Sequence, residues 1–120
     1  MANHDDINCV TISGTLQERP YLFATKSGFR VVRLRLACQE LRRSRDENGQ
    51  PAQRVSTTYI FAKVIGQENI DAAMTLDKGD RVVCAGKLRI DYTQDEAGNA
   101  KREAVVETHR AVLLHDGDEA

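Results

Sequence analysis

Two stretches, FRVVRLRLAC (residues 29–38) and TTYIFAKVI (residues 57–65), decide how this chain reads. In the first, Val32, Leu34, Leu36 and Cys38 recur at every second position, with Arg33 and Arg35 between them. In the second, Ile60, Ala62 and Val64 share one face, and Tyr59, Phe61, Lys63 and Ile65 share the other. Side chains on a strand alternate between faces, so both stretches predict half-buried strands. One outward face carries arginines and the other carries aromatics beside a lysine. Cations next to rings on an open sheet suit a flexible polyanion that bears planar bases.

Between these strands, residues 39–53 are polar and charged, with Asn48-Gly49 as a turn signal and Pro51 beyond it. The pattern predicts a long hairpin whose tip projects into solvent. Arg42, Arg43 and Arg45 on it either close over a ligand or belong to a solvated, charge-rich loop. Upstream, NCVTISGTL (residues 8–16) alternates as a first strand with Val10, Ile12 and Leu16 inward. Residues 21–26 form at most a short extended piece before the Ser27-Gly28 turn. Downstream, Ile70, Ala73 and Met74 recur at helical spacing over residues 67–76, and Lys78-Gly79 supplies a stop. Residues 81–90 read as a fourth strand with Val82, Cys84, Leu88 and Ile90 inward and Lys87 and Arg89 outward. A turn at Asp95, Gly98 and Asn99 leads to a less regular fifth strand over residues 102–114. Gly14 and Gly86 sit inside strands, where glycine marks a bend or a close backbone approach.

The order of elements fits an all-β fold: a five-stranded closed barrel, one short helix between strands three and four, and a long hairpin between strands two and three. Closure hides the edges that an open sheet would expose. At 120 residues the chain makes one domain. Its expected organisation is a flexible N-terminus over residues 1–7, a barrel over residues 8–114 and a short acidic tail over residues 115–120.

The net charge of −1 excludes a globally basic binder, but the charge is unevenly spread. From Arg19 to Arg54 nine basic residues face three acidic ones, a local excess of +6. Such a field can hold a polyanion on a near-neutral protein. Cys9, Cys38 and Cys84 are odd in number and lack metal-ligand spacing, which predicts reduced intracellular thiols and no metal. No apolar run reaches the length of a membrane span and no signal-peptide pattern opens the chain, so a cytoplasmic location is expected. There is no phosphate-cradling glycine loop, nucleophile elbow or carboxylate pair, so the reading is of a protein that is not an enzyme and needs no cofactor.

The motifs NCVTISGTL (residues 8–16), Ser27-Gly28, LRLA (34–37), GQEN (66–69), KGD (78–80) and VVCAGKL (82–88) occur in the order seen in bacterial single-stranded DNA-binding proteins. The chain resembles that family over most of its length. The resemblance implies an oligonucleotide-binding (OB) fold and single-stranded DNA binding without base specificity, in replication, recombination or repair. It also implies a homo-oligomer, a tetramer more than a dimer, associated with the nucleoid. Tyr59 matches a base-stacking aromatic of the family and Tyr92 lies near another, one residue early relative to Leu88. Arg42 and Ile65 stand where the family commonly has aromatics, so arginine is expected to carry more of the binding here. The end of the chain has acid but no Gly/Pro-rich linker or hydrophobic tip, so recruitment of replication or restart proteins through a tail is not inherited. The chain is also similar to primosomal replication protein N, a replication-restart relative.

The expected DNA-contacting set is Tyr59, Phe61 and Tyr92 for stacking, with Arg33, Arg35, Arg42, Arg43, Arg45, Lys63, Lys87 and Arg89 for phosphates. The competing reading is an OB barrel that docks proteins and does not bind nucleic acid, its aromatics packed in an interface.

Overall fold

The computed structural model describes His4 and residues 6–114. The order is β1 (Val10–Leu16), β2 (Tyr21–Ala24), β3 (Arg30–Arg45), β4 (Pro51–Val64), α1 (Gln67–Ala73), β5 (Arg81–Gln94) and β6 (Ala100–Leu113). The sheet runs β1-β5-β6-β4-β3, and β3 returns to β1 through Thr15↔Ala37 and Leu16↔Leu36. That return closes a five-stranded barrel with the OB connectivity. The short piece after Pro20 is a true strand: β2 pairs with the first residues of β3 outside the closure. The acidic tail, and most of the N-terminal segment expected to be flexible, lie outside the described residues.

Inward residues of every barrel strand meet in one core: Leu16, Val32, Leu34, Leu36, Ala62, Val64, Val82, Cys84 and Val106. Ile70 and Ala73 of α1 join it, as helical spacing predicts. The helix ends at Ala73, earlier than expected, and Leu76 beyond it fills the core while Met74 stays 43% exposed. Gly79 is not the helix stop. Its N–H donates to the Leu16 carbonyl at 2.9 Å, while Leu16 N–H donates to Asp80 O at 2.9 Å, tying this turn to β1.

Gly86 is required by close approach. A Cβ there would sit 1.8 Å from the Glu107 carbonyl oxygen, and one at Gly14 would sit 2.8 Å from that of Ala37. At the same place β6 bulges: Ala85 faces Arg110, Gly86 faces Thr108, and His109 is left without an opposite. Val106 and Thr108 therefore face inward at even numbers and Ala111 at an odd one, which explains the irregular pattern of this strand.

The arginine-rich segment is strand and not loop. β3 and β4 pair without interruption from Val32↔Val64 to Arg45↔Pro51. Asp46 closes the tip: its N–H donates to Gln50 O at 2.9 Å, and its Oδ1 accepts from the backbone of Asn48 and Gln50. Gly49, at φ 77°, takes the left-handed position of a three-residue loop. β5 and β6 likewise outrun the barrel. Leu88 and Ile90, expected inward, are 44% and 46% exposed because their face extends past the closed core.

Candidate nucleic-acid interface

Alternation and register together decide which side chains meet on the outside of the barrel. Tyr21 lies opposite Arg33, which lies opposite Lys63; Arg35 lies opposite Phe61, and Ala37 opposite Tyr59. The result is a band of cations and rings across β2, β3 and β4. The Arg33 guanidinium carbon is 5.4 Å from the Tyr21 ring and 5.0 Å from the Phe61 ring. Arg35 stands 5.4 Å from the Tyr59 ring, and the Lys63 ammonium 5.9 Å from that of Phe23. A cation within about 6 Å of a ring is attracted by its quadrupole, which holds both in place.

The expected phosphate ligands fall into two groups. Some are already engaged: Lys63 is paired with Asp91, and Arg89 with Glu107 at 3.1 Å. Asp91 thus anchors a lysine across the sheet instead of serving only its own hairpin. Arg33 lies between rings with its Nε buried and without a hydrogen bond. Arg45 donates to the Gly49 carbonyl at 2.9 Å and braces the hairpin tip. The others are open. Among the described residues Arg35, Arg42, Arg43 and Lys87 have no carboxylate partner.

Arg42 faces Arg54 directly across the hairpin, on the face opposite Tyr59, whereas Arg43 shares Tyr59's face. Arg42, Arg43, Arg54, Ser44 and Ser56 surround a shallow concavity there. Like charges directly opposed on a sheet are destabilising, so an anion between them relieves a cost the bare hairpin carries. Tyr59 is 59% exposed and Phe61 half-buried, both on the outward face. Tyr92 is 76% exposed, but it shares its face with Leu88 and Ile90, away from Lys87 and Arg89. The structure does not bring it into the ring–cation band.

Sequence reasoning passed over Arg54, Tyr21 and Phe23. Arg54 faces Arg42 because the loop has three residues centred on Asn48, six positions from each; a two-residue Asn48-Gly49 turn would have set Val55 there instead. Tyr21 and Phe23 lie in a strand of 4 residues, too short to show a period.

The family model of single-strand binding proteins matches residues 7–114. The chain belongs to the single-strand binding protein family. Among curated relatives of this family, single-stranded DNA-binding protein 2 of Tropheryma whipplei is 31% identical over 84 residues, which is 70% of this chain and 55% of the relative. The chain spans about half the length of that relative. Among solved structures, a Plasmodium falciparum SSB in complex with ssDNA superposes with a TM-score of 0.74 at 22% identity, over 94% of this chain and 97% of that one. A small single-stranded DNA-binding protein from Streptomyces coelicolor gives 0.64 at 22% identity, over 97% and 99%. These likenesses show the fold, the OB barrel that the strand order also gives.

Proposed function

We propose that this chain binds single-stranded DNA without base selectivity, across the outward faces of β3 and β4 and along their hairpin. One observation carries the reading: exposed Tyr59 beside Arg35 shares its face with Arg43 on the hairpin, whose other face sets Arg42 opposite Arg54 with no carboxylate partner among the described residues. Rings serve any base because every base has a π-face, and guanidinium groups serve the phosphates. The family and the names of its relatives point the same way. In this reading the role is binding and not catalysis, and the protein self-associates. Leu88 and Ile90, 44% and 46% exposed on one face of β5, support self-association.

The test is anisotropy of a labelled dT oligomer of about 35 nucleotides, at low and moderate salt, beside a duplex control. Three to five phosphate contacts predict a log–log salt slope of about −2 to −3.5. Duplex binding as tight as single-strand binding would sink the reading. No binding at low salt would favour the protein-docking barrel.

A further inference from the structure

We propose that Tyr21, on the added strand β2, is a further base-stacking residue, so that the single strand crosses three strands and ends against the barrel's outer edge. The inference rests on the DNA-binding reading above and extends it to residues that neither the sequence pattern nor the family motifs marked.

β2 pairs only with β3, which leaves its other edge open. Its odd-numbered residues face the same side as Arg33 and Arg35. Phe23 is half-buried over Val31, which is 6% exposed, and so has a packing role. Tyr21 covers little and remains 56% exposed. Its ring is nonetheless fixed: it stacks on Phe23 at 5.8 Å with 21° between planes and meets the Arg33 guanidinium. Arg33 makes no ion pair among the described residues, and its buried Nε has no hydrogen-bond partner. Contact with Tyr21 and Phe61 is what holds it.

The arrangement at Tyr59 and Arg35 thereby has a counterpart: Arg33 lies two residues from Arg35 on β3, and Tyr21 and Tyr59 flank β3 opposite Arg33 and Ala37, roughly 13 Å apart along the strand. Each unit pairs one exposed tyrosine with one guanidinium. A stretched nucleotide needs that pair at each step, a π-face for the base and a cation for the phosphate. The occupant we assign is therefore a further nucleotide of the same single strand, beyond the one on Tyr59.

The chain has three tyrosines and no tryptophan, so its emission comes from Tyr21, Tyr59 and Tyr92 alone. Replacing Tyr59→Phe and Tyr92→Phe keeps both rings and leaves Tyr21 as the sole emitter. Unlabelled dT of about 35 nucleotides, titrated into this variant at low salt, should quench its emission in step with binding followed by anisotropy. Tyr21→Ala in the otherwise unchanged chain should weaken binding roughly fivefold or more. Saturable binding with unchanged Tyr21 emission, or quenching with undiminished Tyr21→Ala affinity, would overturn the proposal and leave single-strand binding intact. Failure of every variant and of the parent chain to bind would remove both readings.

Discussion

Tyr59 and Cys84 show opposite fates for residues on two strands of one barrel. Tyr59 is 59% exposed and held by Arg35, which orders the ring before any ligand arrives. Tyr59→Ala should cost about 1–3 kcal/mol of DNA affinity, to a similar degree for dT and mixed-sequence oligomers. A folded variant that binds as tightly as the parent would place the bases elsewhere. Cys84 is fully buried in the barrel, and burial pushes its thiol up from 9.0 to about 11, against a smaller lowering by the Thr108 hydrogen bond. Below pH 9 the thiol is neutral in both folded and unfolded chains and adds no pH dependence. Between pH 9 and 11 the unfolded chain releases a proton that the fold retains, so stability falls, by about 2–3 kcal/mol in all. Urea unfolding at pH 8 and pH 11 should show that decline in the parent and a shallower one in Cys84→Ala.

At the scale of elements, the β3–β4 hairpin trades stability for charge. Arg42 and Arg54 oppose each other with no carboxylate between them among the described residues. Replacing both by alanine should make the salt slope shallower by about 1.4, two phosphates' worth. The urea midpoint should hold or rise, because a like-charge cross-strand pair costs about 0.2–1 kcal/mol. An unchanged slope would take the DNA off this face of the hairpin. The β5–β6 pair works differently, its register set by sterics. Gly86→Ala places a methyl group on the Glu107 carbonyl and should destabilise the barrel by about 3 kcal/mol or more, read by thermal unfolding.

For the whole molecule, one closed barrel presents the ring–cation band as a rigid surface and lets two long hairpins extend beyond the core. The contacts proposed for the DNA therefore sit on the barrel strands and on the hairpin that extends from them. A ligand that binds only the folded chain stabilises it by mass action, about 2.7 kcal/mol at one hundred times Kd. Saturating dT oligomer should raise the unfolding temperature, and duplex DNA at equal concentration should raise it less. Equal shifts would mean that the surface reads charge alone.

Local chemistry determined much of this without help from the fold. Period-two alternation assigned faces in β3 and β4, Asp46 to Gly49 set the hairpin turn, and Gly14 and Gly86 marked the close approaches. These are short-range constraints, legible because each depends on a residue and its near neighbours. Where β6 bulges at His109 the same rule failed, since one extra residue reverses the faces. Only the tertiary structure decided which cations are free. Arg89 meets Glu107 and Arg33 enters between Tyr21 and Phe61 through the register of adjacent antiparallel strands, while Lys63 meets Asp91 only because β4 and β6 pair in parallel. Alternation tells a side chain which face it takes; what it finds there is set by strand register, and for Lys63 by a strand that reaches it only in the assembled sheet.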